Sequence, residues 1–455
     1  LDADCRLYGF RGGPDGVIDN NAVLLTPDVI APYRNTGGFD MIGSGRTKLA
    51  TEKQFAKAVE TCKALGIEAL VIIGGDDSNT NACTLAEYCL RTGAGIQVIG
   101  CPKTIDGDLK NEWVETSFGF DTASKVYGEL IGNILRDADS AKKYWHFIKL
   151  MGRSASHIAL ECALATHPNL TLVSEEVQAM RMSLGDVVDL IAMAIVERSN
   201  AGKNFGVCLI PEGLIEFIPE VGKLISELNE LVDDSDGVKD SEEEERRVAQ
   251  KLSAPSAEVF DSLPADIQQQ LLMDRDSHGN VKVSQIETDK LLIHMVREKL
   301  EQMACDGTYS GTFTPQPHFF GYEGRCAPPS NFDANYCYAL GYTTVALIAT
   351  GKSGYLACVR SLTSPPAQWL PAGVPLASLM NIERRNKKDV PVIEKALVNL
   401  EGRPFRTFKA SRNAWLLEDD YIYPGPIQYF GPPEICDGVT KTMQLESGED
   451  CAHQA

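Results

Sequence analysis

Residues 70–78 read LVIIGGDDS, and residues 98–109 read VIGCPKTIDGDL. Each stretch is an apolar run that stops at a cluster of glycine and aspartate. Hydrophobic runs separated by helical patterns are typical of parallel strands whose sheet is covered by helices on both faces. In such folds, ligands bind at the carboxyl edge of the sheet, where these polar clusters would lie. The two stretches therefore predict a ligand site at that edge.

The first 210 residues continue this alternation. A helix is predicted at residues 51–66, with Thr51 and Gln54 as a capping box and Gly66 as its end. The predicted strands are residues 67–75, 95–102, 143–152, 170–176 and 204–213. The polar clusters GGDDS, PKTIDGD, MGR and IPEG each follow an apolar run directly. We therefore expect several strands to deliver functional groups to the same kind of edge.

Composition excludes some classes of function. The 455-residue chain is 44% hydrophobic and carries a net charge of −20, which argues against nucleic acid as a partner. No apolar run is long enough to span a membrane, so we expect no membrane partner. Thirteen cysteines are scattered without a CxxC pair, which predicts reduced thiols in a cytoplasmic protein.

The first cluster suits phosphate chemistry. Gly74 and Gly75 would let the backbone approach an anion closely, and Ser78 could donate a hydrogen bond to a phosphate. Asp76 is suited to hold Mg²⁺, which binds one or two carboxylates together with phosphate oxygens. The alternative is a plain strand–turn–helix corner with a capping aspartate. The cluster alone does not separate these two interpretations.

The second cluster contains Thr104, Asp106 and Asp108. A carboxylate in such a turn can take a proton from a substrate hydroxyl. Phosphoryl transfer needs a metal, cations around the moving group and a base for the acceptor oxygen. The candidate cations are Arg46, Lys48, Lys103, Arg153 and Arg325. The Gly-Lys-Ser at residues 351–353 follows a helical run and lacks the earlier glycine of a P-loop.

Five motifs in order, GGDDS, PKTIDGD, MGR, IPEG and GYEGR (residues 321–325), resemble the phosphofructokinase family. The resemblance covers nearly the whole chain. It is strongest to the long type of the pyrophosphate-dependent branch, which includes the plant catalytic beta subunit. It implies reversible, Mg²⁺-dependent phosphoryl transfer from pyrophosphate to the 1-hydroxyl of fructose 6-phosphate. The alternatives are a non-catalytic regulatory subunit and, less favoured, an ATP-dependent phosphofructokinase.

The resemblance also implies roles for individual residues. Asp76 would bind Mg²⁺, Asp106 would be the base, and Arg46 would lie near the transferred phosphoryl group. Lys143 and Tyr144 would reach the acceptor site of a neighbouring subunit. The donor would contact Gly74, Gly75 and Ser78. The residues implied to bind fructose 6-phosphate are Thr104, Ile105, Asp106, Met151, Gly152, Arg153, Glu212, Tyr322, Glu323, Gly324 and Arg325.

Two positions are implied to select the donor. ATP-using relatives have glycine where this chain has Asp77 and Lys103. Asp77 would occupy the place of the ATP α-phosphate, and like charges about 4 Å apart at an effective dielectric of 20 repel by about 4 kcal/mol. Lys103 could instead bind pyrophosphate and stabilise the leaving phosphate.

The predicted fold is α/β, with two doubly wound, mostly parallel-sheet domains. Residues 1–142 would form the donor domain, residues 143–330 the fructose 6-phosphate domain, and residues 331–455 a segment that returns to the first domain. Residues 219–305 read as a polar helical insertion, and residues 381–400 as a helix in an otherwise irregular C-terminal region.

The family resemblance has two further implications. Family members begin earlier, with a strand and a Gly-rich loop, so the first sheet is expected to lack its first strand and to be exposed. The expected assembly is a homo-oligomer or a hetero-oligomer with a regulatory alpha subunit.

Overall fold

The structure, a computed structural model, describes residues 5–45, 47–232, 250–273, 281–385 and 388–448. The chain divides into two compact units, each built from separate stretches. Unit 1 consists of Leu1–Thr122, Ala327–Ala396 and Gln428–Val439. Unit 2 consists of Ala123–Cys326, Leu397–Ile427 and Thr440–Ala455.

The described residues form strands and helices in an alternating order. The strands are Tyr8–Phe10 (β1), Ala22–Leu24 (β2), Ala69–Gly74 (β3), Gln97–Thr104 (β4), Phe118–Gly119 (β5), Trp145–Leu150 (β6), Leu170–Thr171 (β7), Gly206–Pro211 (β8), Pro315–Phe320 (β9), Tyr355–Arg360 (β10), Leu370–Pro375 (β11), Met380–Arg385 (β12) and Lys388–Ile393 (β13). The α-helices are Pro14–Ile18 (α1), Pro27–Ile30 (α2), Phe39–Ile42 (α3), Glu52–Leu65 (α4), Asp76–Thr92 (α5), Phe120–Ala141 (α6), His157–Thr166 (α7), Ser174–Ala179 (α8), Leu184–Asn200 (α9), Leu214–Phe217 (α10), Pro219–Val232 (α11), Ala254–Ser262 (α12), Ala265–Met273 (α13), Thr288–Cys305 (α14), Tyr322–Arg325 (α15), Asn331–Ala349 (α16), Arg403–Leu417 (α17), Pro433–Cys436 (α18) and Lys441–Glu446 (α19). Short 3₁₀ turns are Ala31–Tyr33, Val283–Gln285, Pro366–Gln368 and Leu376–Leu379.

Unit 1 is built on a mostly parallel sheet in the order β11–β10–β4–β3, with β5 paired to the end of β4. Strands β3 and β4 run parallel, so Gly74 lies opposite Pro102 where both strands end. Strand β10 is also parallel to β4, whereas β11 is antiparallel to β10. Strand β3 is the edge of the described sheet and exposes Val71 and Ile73.

Unit 2 contains a parallel sheet in the order β7–β8–β6–β9. Every residue of β6 and β8 is buried, which is the continuous burial expected of central parallel strands. The sequence predicted a polar helical insertion between residues 219 and 305. The described part of this block is helical, and its helices α11 to α14 add Leu224, Leu271 and Leu291 to the core of this unit. Residues 233–249, with the acidic run, lie outside the described residues.

Several sequence predictions are confirmed. Helix α4 has the capping box between Thr51 and Gln54, and it ends at Gly66 in a left-handed conformation. The α/β class with mostly parallel sheets is also confirmed. The Gly-Lys-Ser at residues 351–353 follows α16 and precedes β10, which is not the strand–loop–helix order of a P-loop.

One secondary-structure prediction is wrong, and a second is confirmed only in part. Residues 381–400 do not form a helix, because β12 and β13 pair there as an antiparallel hairpin. β-branched residues and Pro391 in this segment disfavour a helix interior. The predicted strand at residues 170–176 ends after Thr171, and α8 begins at Ser174. The C-terminal region is also less irregular than expected, since it contains β10, β11 and α17.

The division into units differs from the predicted domain boundaries. The boundary falls at the start of α6 rather than at residue 142, and the stretches Leu397–Ile427 and Thr440–Ala455 belong to unit 2. The reason is apolar packing, because Phe405, Phe408 and Trp415 of α17 join a buried cluster with Leu160 of α7. Amphipathic spacing does not reveal which unit a returning segment will join.

No helix in the described part of the chain is both long and apolar enough to cross a bilayer.

Two histidines meet inside unit 2. Nδ1 of His146 on β6 lies 2.9 Å from Nε2 of His318 on β9. A carboxylate oxygen of Asp137 lies 3.9 Å from His146 Nε2, and the Asp289 carboxylate is the charge that acts on His318. Burial, together with the neighbouring His318, lowers the pKa of His146 to about 4, although Asp137 opposes this shift. Burial also lowers the pKa of His318.

This pair predicts a pH dependence of stability. The folded-state pKa of His146 lies below the usual 6.5, so the unfolded chain binds more protons between these values. The free energy of unfolding should therefore fall as the pH is lowered from 7 towards 4. In His146→Phe, which cannot titrate at this position, chemical denaturation at pH 7 and pH 5 should show a smaller loss. His294→Asn, at an exposed histidine, is the control and should retain the wild-type loss. An unchanged pH dependence in His146→Phe would contradict the prediction.

Candidate functional site

In unit 1, the GGDDS motif is the corner between β3 and α5. Gly75 is the N-cap of the helix, and α5 begins at Asp76. Asp76 and Asp77 therefore lie in the first turn, where the helix dipole favours carboxylates and where backbone N–H groups point outward. Both carboxylates are half-buried.

Close packing explains the first glycine of the corner. A Cβ at Gly74 would lie 2.4 Å from both Cβ and Oγ of Ser78. The Ser78 side chain therefore lies directly over the end of β3. A larger residue at Gly74 would push this serine, and the first turn of α5 with it, away from the strand.

Asn79 ties this corner to the neighbouring strand. Its Nδ2 donates to the carbonyl oxygens of Gly74 at 2.7 Å, Gly75 at 2.9 Å and Cys101 at 3.4 Å. The side chain is fully buried, and a Cβ at Gly100 would lie 2.2 Å from its Oδ1. Sequence analysis missed Asn79, although it directly follows the GGDDS motif.

The second motif is held as a turn at the end of β4. The backbone N–H of Asp106 donates to Oγ1 of Thr104 at 3.1 Å, and Gly107 adopts a left-handed φ of 74°. Oγ of Ser117 donates to the carbonyl oxygen of Thr104 at 3.0 Å. The Thr104 hydroxyl thus shapes the turn that carries the half-buried Asp106.

A buried aspartate supports this turn from behind. Strand β5 pairs Gly119 with Thr104, and Asp333 of α16 accepts hydrogen bonds from the N–H groups of Gly119 at 3.0 Å and Thr122 at 2.9 Å. Burial, together with nearby Asp121, raises the pKa of Asp333 to about 6, although the hydrogen bonds from Thr122 and Gly119 oppose this shift. No sequence signal connected Asp333 with the turn, because it lies more than two hundred residues away from Gly119.

Two lysines lie at the ends of the unit 1 strands. Nζ of Lys103 lies 5.6 Å from the centroid of the Phe39 ring, at the end of β4. Nζ of Lys395, which follows β13, lies 3.7 Å from Oδ2 of Asp76. Lys48 is exposed. Arg46, predicted to lie near the transferred group, falls outside the described residues.

The ends of β3 and β4 therefore meet as predicted, since Gly74 pairs with Pro102 and a Cβ at Gly75 would lie 3.6 Å from the Lys103 carbonyl oxygen. This places the GGDDS carboxylates and the TIDGD turn at one edge of the unit 1 sheet. Among the described residues, no group of three or more histidine, cysteine, aspartate or glutamate side chains forms a metal cluster.

In unit 2, the MGR motif follows β6. The N–H of Met151 donates to the Phe320 carbonyl oxygen at 3.0 Å, and the N–H of Gly152 donates to Oε2 of Glu212 at 3.0 Å. Gly152 has a φ of 134°, which favours glycine. A Cβ at Gly213 would lie 1.9 Å from the Arg153 carbonyl oxygen, so the ends of β6 and β8 are in close contact.

The Glu212 side chain is almost completely buried, although the sequence predicted that it binds fructose 6-phosphate. It is 3% exposed, and burial raises its pKa, although the Gly152 N–H, Lys149 and Arg153 oppose this shift. Its carboxylate therefore braces the MGR loop. This bracing role was not predicted from the sequence.

The GYEGR motif follows β9 on the other side of β6. The Tyr127 hydroxyl donates to the Gly321 carbonyl oxygen, and a Cβ at Gly324 would lie 2.4 Å from the Tyr127 ring. The guanidinium carbon of Arg325 lies 5.6 Å from the centroid of the Tyr322 ring. Tyr322, Glu323 and Arg325 are exposed, so this short helix offers polar groups to a ligand.

Unit 2 thus brings MGR, Glu212 and GYEGR to the carboxyl ends of three neighbouring strands. Two arginines at such an edge suit a phosphorylated ligand, because guanidinium groups bind phosphate in a bidentate manner. This edge does not include the predicted site residues Lys143 and Tyr144. They precede β6 and therefore lie at the opposite end of that strand from the MGR motif.

Comparison with known proteins shows the family. The phosphofructokinase family model matches residues 1–348. The chain is 58% identical over 453 residues to pyrophosphate–fructose 6-phosphate 1-phosphotransferase of Porphyromonas gingivalis, covering 99% of this chain and 82% of that protein. It is 54% identical to the beta subunit of the Solanum tuberosum enzyme, covering 99% and 78%. It is 40% identical to the alpha subunit from the same plant, covering 96% and 71%.

A solved structure shows the same fold. The pyrophosphate-dependent phosphofructokinase from Nitrosospira multiformis aligns with a TM-score of 0.57 at 18% identity, covering 95% of this chain and 87% of that chain. The chain belongs to the phosphofructokinase family.

Asn79 provides a test of the unit 1 corner. Asn79→Ala removes a buried donor from the carbonyl oxygens at the ends of β3 and β4. We expect the free energy of unfolding, measured by chemical denaturation, to fall by about 1–3 kcal/mol. Asn79→Asp, of similar shape, replaces the donor by an acceptor and should cost at least as much. Wild-type stability in both variants would contradict this assignment.

Proposed function

We propose that the chain is an enzyme that transfers a phosphoryl group reversibly from pyrophosphate to the 1-hydroxyl of fructose 6-phosphate, giving fructose 1,6-bisphosphate and phosphate. The observation that carries the proposal is the presence of Asp77 and Lys103 at adjacent strand ends of unit 1. The Asp77 carboxylate repels the α-phosphate of a nucleotide donor. The Lys103 ammonium group attracts pyrophosphate, which is smaller and has no nucleoside. High identity to relatives named for this reaction supports it further.

The donor interacts with unit 1 in this proposal. Gly74 and Gly75 allow a phosphate to approach the backbone, and the Ser78 hydroxyl donates to it. Lys103 balances the charge that develops on the leaving phosphate. Arg46 stands near the transferred group, as the family resemblance implies. Asp77 excludes the nucleotide.

Asp76 fits the role of the Mg²⁺ ligand. It is a half-buried carboxylate in the first turn of α5, beside Gly74 and Gly75, and it would hold Mg²⁺ together with the phosphate oxygens of the donor. When bound, the ion would neutralise charge on the pyrophosphate.

The acceptor interacts with both motifs of unit 2. Arg153 and Arg325 bind its phosphate, while Met151, Gly152, Glu212 and the remainder of Tyr322 to Arg325 shape the sugar site. Asp106 takes the proton from the 1-hydroxyl, and Thr104 and Ile105 help to bind the sugar phosphate. The new bond joins the sugar O1 to phosphorus, and the bridging oxygen of pyrophosphate leaves with its electron pair as phosphate. The proton on Asp106 is then released to solvent or phosphate.

The active assembly contains more than one chain. Lys143 and Tyr144 lie at the opposite end of β6 from Arg153, which supports their contribution to a neighbouring subunit. The partner is a second copy or a regulatory alpha subunit. The stronger likeness to a plant beta than to an alpha subunit supports a catalytic rather than a regulatory role. The scattered cysteines support a cytoplasmic location.

A donor assay with an Asp106→Ala control tests the function. With Mg²⁺ and fructose 6-phosphate, the wild type should turn over pyrophosphate and not ATP. In Asp106→Ala, kcat should fall by about 10²–10⁴ with little change in KM, because a proton acceptor is lost while binding is kept. Turnover with ATP alone would refute the donor assignment. An unchanged kcat in the variant would remove Asp106 as the base.

The donor selectivity has its own test. The double variant Asp77→Gly with Lys103→Gly should gain measurable ATP turnover or ATP binding, since it loses the repelling carboxylate. The single variant Lys103→Gly is the matched control, which should lose pyrophosphate activity without gaining ATP. Kinetics with each donor would check both. A double variant that neither uses nor binds ATP would count against charge exclusion by Asp77.

A further inference from the structure

Lys395 lies among the donor groups of unit 1, although no motif pointed to it. Its Nζ is 3.7 Å from Oδ2 of Asp76, and the two side chains are 29% and 17% exposed. The sequence predicted a helix over residues 381–400, which include Lys395. In the structure it follows the hairpin of β12 and β13, which packs against α5.

Backbone anchors fix the segment that carries Lys395. On one side, the N–H of Ile393 donates to Oγ1 of Thr80 on α5 at 3.1 Å. On the other side, the N–H of Ala396 donates to the carbonyl oxygen of Asp108 at 2.7 Å. Lys395 is therefore held between the helix that begins at Asp76 and the turn that carries Asp106. Such anchoring reduces the entropy lost when a long side chain binds a ligand.

The charge of this edge creates a need for a further cation. Asp76, Asp77, Asp106 and Asp108 follow β3 and β4, whereas Lys103 is the cation within the two motifs. Pyrophosphate adds several negative charges to these carboxylates. A second ammonium group beside Asp76 offsets that repulsion, and lysine is well suited to bind phosphate as a point charge.

Resting on the function proposed above, we propose that Lys395 is a donor-binding residue whose ammonium group contacts a non-bridging oxygen of bound pyrophosphate. Asp76 orients this ammonium group. Pyrophosphate would then be bound by two lysines, Lys103 at the end of β4 and Lys395 after the β12–β13 hairpin.

A purely structural ion pair makes a different prediction. If Lys395 only neutralised Asp76, its removal would lower the melting temperature and would affect the binding of both substrates alike. A donor-binding role instead weakens pyrophosphate binding selectively. The two roles are therefore separated by comparing the KM for pyrophosphate with the KM for fructose 6-phosphate.

The test uses Lys395→Met in the full chain. Calorimetric titration with pyrophosphate, with and without Mg²⁺ and in the absence of sugar phosphate, should show affinity weaker by about tenfold or more. The KM for pyrophosphate should rise similarly, while the KM for fructose 6-phosphate stays within about twofold. Lys395→Arg should recover most of the affinity. Lys57→Met is the matched control, because Lys57 pairs with exposed Asp19 at 3.8 Å elsewhere in unit 1.

Each outcome decides one question. Wild-type pyrophosphate affinity in Lys395→Met, or an equal rise in both KM values, would overturn this inference and leave the proposed function intact. A wild-type chain that binds no pyrophosphate would refute the proposed function itself. If Lys395→Met does not fold, Lys395→Gln removes the charge, keeps a hydrogen-bond donor beside Asp76 and carries the same expectation.

Discussion

The side-chain amide of Asn79 holds together the ends of two neighbouring strands. Its hydrogen bonds to the carbonyl oxygens of Gly74, Gly75 and Cys101 join the GGDDS corner to β4. Because the amide is fully buried, water cannot replace these bonds without opening the sheet. Gly74 and Gly100 leave the space that this arrangement requires. The spacing between Asp76 and the turn at Asp106 follows from it.

Unit 2 uses the same principle with different chemistry. There the buried Glu212 accepts the Gly152 N–H, while Tyr127 holds the carbonyl oxygen of Gly321. In both units, buried side chains fix the backbone, and more exposed side chains of the same motifs remain for ligands. Groups that are fixed before a ligand arrives need little reorganisation when charge develops on it. Many buried residues around the motifs therefore have a structural role and do not bind a ligand themselves.

The sequence predicted most strands and helices that carry the site, because β3 and β8 are apolar throughout, β4 and β6 are largely apolar, and all four end at conspicuous polar motifs. It did not predict residues that act across long sequence separations. Tertiary contacts bring Asp333 and Lys395 to the site, and no periodic pattern in the sequence indicates such contacts. The hairpin of β12 and β13 was read as a helix because its charged residues resemble an exposed helical face. The sequence also did not show which unit each C-terminal segment would join. Helix α17 belongs to unit 2 because its apolar side chains pack against α7.

The interleaved composition of the two units has a consequence during protein synthesis. Strand β10, which pairs with β4, is made about 250 residues after it. Until then the nascent chain carries β4 with an open edge, and such edges recruit other strands. Helix α17, which covers α7, emerges later still. Until these segments emerge, the open edge of β4 and the face of α7 that α17 covers stay unpaired, so we expect a stalled or prematurely terminated chain to be prone to aggregation.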